Sequence, residues 1–135
     1  MFHGREDAAR SEHVLHGLLF ALCAADASYL RAHPETPRLY ESGVRYQAEL
    51  PGREDWQTVP FALARGVADC EDLACWRVAE LWVRDGVRAL PRMTWRPKGP
   101  RGQWRLYHIT VRWPDGHVED PSRVLGMGRR RGSEG

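Results

Sequence analysis

The segment Trp113-Pro114-Asp115-Gly116-His117 constrains the fold of this chain more than any other. Proline, aspartate and glycine in this order are typical of a type I turn followed by a glycine in the left-handed conformation. A three-residue connection of this kind joins two antiparallel strands and pairs Trp113 with His117. A two-residue turn would instead move the side chains of one strand to the opposite face of the sheet. The segment therefore predicts a β-hairpin and its register.

That register brings two polar side chains together. Counting back from the turn, Thr110 lies opposite Asp120, and His108 is the diagonal neighbour of Asp120 on the same face. Diagonal neighbours across an antiparallel pair lie about 7–8 Å apart at the backbone, within joint reach of an imidazole and a carboxylate. We therefore expect His108 and Asp120 to contact each other.

The hydrophobic period changes from helical to strand-like at Gly86. Before Gly86, apolar residues recur at the three- and four-residue spacing of helix faces, whereas after it strand-forming residues predominate. The predicted helices cover 6–32, 54–65 and 70–86, and the predicted strands cover 44–46, 87–96 and 103–113. Gly66 and Gly86 are the predicted ends of the second and third helices.

The chain length of 135 residues predicts a single domain, because such a chain can bury a core without disulfides or metals. We assign residues 1–127 to this domain, with a helical part over 6–66 and a core over 67–127. The basic, glycine-rich residues 128–135 are predicted to form a flexible tail. A net charge of +2 is too small to indicate binding to nucleic acid or to a membrane surface.

The three cysteines and the N-terminal sequence predict a cytoplasmic protein with reduced thiols. Residues 1–10 lack the basic-then-apolar order of a signal peptide. The apolar run over 14–30 is interrupted by His16 and Asp26 and is short for a bilayer span, so we expect a helix of a soluble protein and no membrane partner. Cys70 and Cys75 lack the spacing of a metal-binding pair, and we expect no metal and no cofactor.

Cys70 is predicted at the first position of the third helix. Asp69 is a good N-cap, and Asp72 occupies the position of a capping-box acid. A thiol at a helix N-terminus is favoured as the nucleophilic thiolate, especially beside an imidazolium. His108 and Asp120 would then act as base and orienting acid. Each residue alone is more often structural, but together they favour a catalytic triad.

An acyl-transfer site also needs donors for the oxyanion of the intermediate. The backbone N–H of Cys70 is the first predicted donor. The indole N–H of Trp56 or the side-chain amide of Gln57, shortly before the cysteine, is the second.

Three segments resemble the transglutaminase-like superfamily of cysteine enzymes: 66–74 around the thiol, Tyr107-His108-Ile109-Thr110-Val111, and 115–122. The resemblance extends over roughly Trp56 to Met127, and the thiol, imidazole and carboxylate follow in the family's order. It implies an α+β fold of papain-like type. In such a fold, N-terminal helices and the nucleophile helix pack on an antiparallel β-sheet.

The resemblance also implies acyl transfer through a thioester, either as hydrolysis of a peptide or amide bond, as deamidation or as crosslinking. By position, Cys70 resembles the family nucleophile, His108 the base and Asp120 the orienting acid. The runs over 55–80 and 125–127 look like those of small stand-alone members from bacterial and phage gene clusters. The implied partner is a protein or peptide substrate.

A second interpretation is a non-enzymatic structural or assembly protein, for example of a phage virion or tail, that keeps the same fold. Three observations favour this interpretation. The thiol is crowded by the negative charges of Asp69, Glu71 and Asp72, which would raise its pKa. The chain is also small, and it holds six tryptophans. Under this interpretation, the partners of the protein would be other subunits of a phage or bacterial assembly. Nucleic-acid binding would rest only on the arginines at 129–131, which are more typical of a solvated tail.

Overall fold

Helices and an antiparallel sheet together make this an α+β fold. The computed structural model describes residues 5–49 and 56–128. The helices are α1 (Arg5–Ala32), α2 (Val59–Arg65), α3 (Cys70–Glu80) and α4 (Pro121–Val124), with a 3-10 turn at Leu39–Glu41 and a π turn at Leu81–Asp85. The strands are β1 (Arg45–Tyr46), β2 (Val67–Ala68), β3 (Leu90–Lys98), β4 (Trp104–Arg112) and β5 (Val118–Glu119).

The central helix α3 supports the rest of the fold. Its Leu73, Cys75 and Trp76 have no solvent-exposed surface, and it packs between two apolar clusters. One cluster lies between α1, α3 and the core-facing side of β4. The other lies between α1, α2 and the segment that carries β1. Burial on two sides explains why this helix carries apolar residues around most of its circumference.

The ends of the helices follow their glycines. Gly66 ends α2 with a φ of 76°, and Gly86 follows the π turn with a φ of 63°. Both are in the left-handed region that favours glycine, which confirms the predicted stops. The second helix begins at Val59, and the described residues 56–58 before it are not helical. Proline at residue 60 suits a first helical turn, because its missing N–H has no helical partner there.

The main sheet has the strand order β3-β4-β5 and is antiparallel throughout. Val111 lies opposite Glu119, and the Trp113 N–H donates to the His117 carbonyl at 2.9 Å. These pairs confirm the register predicted from the turn. The strand predicted over 87–96 is β3, which starts later, at Leu90. The Ala89 carbonyl just before it accepts a hydrogen bond from the Trp82 indole at 2.7 Å.

The short strands β1 and β2 form a separate parallel pair that the sequence did not predict as a unit. Tyr46 lies opposite Ala68, and the Gln47 N–H donates to the Ala68 carbonyl at 2.9 Å. The Tyr46 N–H donates to the Leu125 carbonyl at 3.0 Å. β1 therefore connects the residues just before Cys70 with those just after α4.

A charged network joins α3 to the end of the hairpin. Arg77 binds the fully buried Glu80 at 2.7 Å and Glu119 at 2.6 Å. Glu119 also accepts hydrogen bonds from the Trp113 indole at 3.0 Å and from the Tyr40 hydroxyl. Each of the two carboxylates is compensated by a cation and by further donors, which a part-buried ion pair requires. The network fixes β5 against α3.

Within α1, the segment Glu12–Ala32 is long and apolar enough, by length and composition alone, to cross a membrane. In the structure this segment packs Leu19 and Cys23 into the apolar cluster that it shares with α3 and β4. The predicted basic tail, apart from Gly128, and the predicted helix start near residue 54 lie outside the described residues.

Candidate active site

Cys70 is the first residue of α3, as predicted. The Asp69 carboxylate accepts a hydrogen bond from the Cys70 N–H at 2.7 Å, and the Asp72 carboxylate accepts one from the Asp69 N–H at 3.2 Å. Together with the bond from the Asp72 N–H to the Asp69 side chain, they form a complete capping box. Asp69 also accepts a bond from the Glu49 N–H at 3.0 Å, which fixes the segment after β1 to this helix end.

His108 and Asp120 are in direct contact. The His108 Nε2 lies 2.8 Å from the Asp120 Oδ2, and both side chains are about one-quarter exposed, at 28% and 21%. Asp120 follows β5 rather than lying within a strand, and it caps α4 by accepting a bond from the Arg123 N–H at 3.3 Å. The carboxylate is thus held from two sides, so that one nitrogen of the imidazole has a fixed partner.

The thiol lies beside β4, the strand that carries His108. Cys70 and Ile109 belong to one apolar cluster, and the Ile109 backbone N–H is close enough to the sulfur to favour the thiolate. Among the hydrogen bonds of residues 5–49 and 56–128, however, the one made by the thiol goes to the Glu71 carboxylate at 3.4 Å, and none joins it to His108. The structure therefore brings the His108 imidazole and the Asp120 carboxylate into contact. The Cys70 thiol packs beside Ile109, the residue after His108.

The electrostatics of this helix end oppose ionisation. Burial, followed by the charges of Glu71 and Asp69, raises the pKa of the Cys70 thiol well above its ordinary value. Burial and the neighbouring carboxylates Asp69 and Asp72 raise the pKa of Glu71 to about 8. In the part of the chain described here, no arginine, lysine or histidine pairs with any of these three acids. The acidic surround expected from the sequence is therefore present and uncompensated.

Two of the three predicted oxyanion donors are already engaged. The Cys70 N–H is bound to the Asp69 carboxylate. The Gln57 N–H and its side-chain amide donate to the two oxygens of Asp72, at 2.7 and 3.3 Å, and Gln57 is only 5% exposed. In this structure the carboxylates next to the thiol are the partners of these donors, and the role of the donors at an oxyanion stays a prediction. Trp56 packs against the cluster that contains Cys70, and its role as a donor stays a prediction.

Tyr46 is a residue of this region that the sequence analysis did not single out. It is partly buried between the two apolar clusters. Burial and then the charges of Asp69, Cys70, Glu71 and Asp120 raise the pKa of its phenol to about 12. Nothing in the local sequence marks it, because its place depends on the pairing of β1 with β2.

The other candidates from the sequence lie outside this group. Cys75 is fully buried and its thiol donates to the Leu19 carbonyl at 3.5 Å, so it is a residue of the core. His117 is exposed, stacks on Trp113 and binds Asp115 at 2.6 Å.

Metal-binding potential within the described residues is confined to one group. Asp69, Cys70 and Glu71 each offer a ligand atom, and these atoms lie within 4.8 Å of one another. A metal ion at this group would need the Cys70 thiol as a ligand, and in this structure that thiol donates a hydrogen bond to Glu71.

Comparison of the chain with protein-family models, with curated proteins and with solved structures finds no match.

Proposed function

We propose that this protein is a transglutaminase-like cysteine hydrolase or acyltransferase that acts on an amide or peptide bond through Cys70, His108 and Asp120. The observation that carries the proposal is the 2.8 Å contact between His108 and Asp120. His108 lies on β4, the strand against which the capped thiol packs. A base whose second nitrogen is held by a carboxylate, next to a thiol at a helix start, is the arrangement that covalent cysteine catalysis needs.

Under this proposal each of the three side chains has a defined role. Because Nε2 of His108 binds Asp120, Nδ1 is the nitrogen that takes the proton from the Cys70 thiol. The thiolate attacks the carbonyl carbon, the C–N bond breaks, and the imidazolium returns its proton to the leaving amine. Water or an amine then attacks the thioester and releases the acyl group. Asp120 stabilises the imidazolium while the charge exists.

The bond between the thiol and Glu71 defines the resting state under this proposal. Holding the sulfur as a neutral thiol keeps it unreactive until His108 accepts the proton. An imidazolium formed at His108 would then offset the negative charges of Glu71 and Asp69, which otherwise oppose the thiolate.

The test is the rate at which iodoacetamide alkylates Cys70 between pH 5 and 10, with the labelled peptide identified by mass spectrometry. Cys23 and Cys75 are buried and serve as internal controls. Coupling to the imidazole predicts alkylation below pH 8 that is lost in His108→Ala and reduced in Asp120→Asn. His117→Ala is the matched control, since that histidine is bound to Asp115. A rate that follows a simple thiol pKa near or above 8.5 in both the wild type and His108→Ala would refute the proposal.

A second candidate is a structural or assembly protein, with other subunits of a phage or bacterial assembly as partners. The hydrogen bond from the thiol to Glu71 favours it, because an acid beside a buried thiol is an obstacle to catalysis. On this alternative, Cys70→Ala would leave all functions intact, and the pure protein would form a defined oligomer by light scattering. A monomer with a reactive Cys70 would exclude it.

We further propose a cytoplasmic location, or a virion-associated one for the second candidate, with a protein or peptide as the substrate and neither a membrane nor nucleic acid as a partner. Fractionation of cells that express the chain, and gel shifts at low salt, test these points.

A further inference from the structure

We propose that Tyr46 is a further catalytic residue, whose phenol O–H donates a hydrogen bond to the carbonyl oxygen of the acyl group that Cys70 attacks. This inference rests on the proposed function, because it needs Cys70 to form an acyl-enzyme. It names a donor for the oxyanion in addition to those expected from the sequence, of which the Cys70 and Gln57 groups bind carboxylates in this structure.

The backbone of Tyr46 is fixed between the two halves of the candidate site. On one side it pairs with Ala68, which lies two residues before Cys70. On the other side its N–H donates to the carbonyl of Leu125, five residues after Asp120, at 3.0 Å. The backbone of Tyr46 is therefore bound both to the segment that leads into Cys70 and to the segment that follows Asp120.

The surroundings of the Tyr46 phenol match that position. The charged groups close enough to act on it are Asp69, Cys70 and Glu71 at the start of α3, and Asp120 after β5. The phenol thus lies within electrostatic range of both the nucleophile and the orienting acid. Its side chain packs against the apolar cluster that contains Cys70 and Ile109 and against the second cluster, and it is only partly buried.

The hydroxyl is available as a donor. Among the hydrogen bonds of the described residues, none uses the Tyr46 hydroxyl, whereas the N–H groups of Cys70 and Gln57 are bound to Asp69 and Asp72. The phenol keeps its proton up to about pH 12, so it is a donor at every pH at which the enzyme would be measured. The Glu71 carboxyl group is less suited to this role, because it already accepts the hydrogen bond of the thiol at 3.4 Å and has no proton to donate above its pKa of about 8.

The step is balanced without transfer of the tyrosine proton. The Cys70 sulfur forms a bond to the carbonyl carbon, and the π electron pair moves to the oxygen, where it accepts the hydrogen bond from Tyr46. When the C=O bond forms again, the bond to the leaving group breaks, and a leaving amine takes the proton from His108. The donor stabilises the intermediate more than the ground state, as an oxyanion donor must.

The experiment compares two reactions of the same thiol. Acylation by p-nitrophenyl acetate passes through an oxyanion, and release of p-nitrophenolate reports it. Alkylation by iodoacetamide is a direct displacement at carbon and forms no oxyanion. We expect Tyr46→Phe to slow the acylation by about a hundredfold, the lower range for loss of one oxyanion donor, and to leave alkylation within about twofold. Tyr29→Phe is the matched control, since Tyr29 lies in α1 and stacks on His33, which follows that helix.

Each outcome is decisive. Wild-type rates of acylation in Tyr46→Phe would overturn the inference, and so would an equal loss of both rates, because that shows a general effect on the thiol. A hundredfold loss in Trp56→Phe instead would assign the role to the indole. If the wild type and Cys70→Ala release p-nitrophenolate equally, the proposed function itself fails and the inference fails with it. Removing the hydroxyl leaves no partner unpaired among residues 5–49 and 56–128, so Tyr46→Phe is expected to fold, which a thermal melt verifies.

Discussion

Replacing Glu71 by glutamine is expected to make the Cys70 thiol more reactive, but only at alkaline pH. The Glu71 carboxylate lies 3.4 Å from the sulfur and has no cation beside it among the described residues. When both groups are ionised they repel each other. The substitution keeps the size of the side chain, removes that repulsion and places an amide that can donate to the thiolate.

The magnitude follows from the distance. Two unit charges about 3.4 Å apart repel by about 1 kcal/mol at the dielectric constant of water and by about 5 kcal/mol at a value of about 20. Because Glu71 is only partly buried and can turn away, we take the lower part of this range, about tenfold to a hundredfold more thiolate. A thiolate of lower pKa is also a weaker nucleophile, which reduces the expected gain in alkylation to about three- to tenfold.

The pH dependence identifies the cause. Since the pKa of Glu71 is about 8, its carboxyl group is mostly protonated at pH 7 and mostly ionised at pH 9.5. The rate of iodoacetamide labelling of Cys70 should therefore be similar in wild type and Glu71→Gln at pH 7, and should diverge above pH 8. Glu41→Gln, at an exposed site, is the control for a change in net charge. Equal rates at pH 9.5, or the same ratio at both pH values, would show that this carboxylate does not control the thiol.

Three further predictions concern the groups around the site. Asp69→Ala should lower the free energy of unfolding by about 1–2 kcal/mol in urea titrations, because the helix loses its N-cap. Asp120→Asn should slow p-nitrophenyl acetate hydrolysis at least tenfold while thermal stability changes little. A normal rate would show that the contact between His108 and Asp120 does not contribute to catalysis. Burial raises the pKa of Asp26 to about 8. The free energy of unfolding of the wild type should therefore fall as pH rises from about 4 to 8. Asp26→Asn should flatten this dependence in urea titrations at successive pH values.

Local patterns gave the features of the site that depend on a few neighbouring residues. The capping box depends on residues 69–72 alone, and the hairpin register depends on the five-residue turn at 113–117. Both were predictable because their hydrogen bonds are made within the segment that specifies them. The contact between His108 and Asp120 then follows by counting along the strands.

Features made by distant segments were not predictable. Asp72 captures the donors of Gln57, fifteen residues away, and Tyr46 reaches the site only because β1 pairs with β2 and with the residue after α4. The direction of the Glu71 side chain, toward the sulfur rather than to solvent, is a rotamer that tertiary packing selects. No periodicity or turn chemistry encodes such choices.

Consecutive residues at the end of the hairpin hold two different parts of the protein. Glu119 points to Arg77 and Trp113, and its neighbour Asp120 points to His108. Since side chains alternate along an extended chain, a one-residue insertion or deletion in the turn would interchange the two acids. The imidazole would then lose its partner and the ion pair under β5 would break at the same time. The distance along the chain between His108 and Asp120 is accordingly as essential as the identity of either residue, and loop-length engineering should avoid this turn.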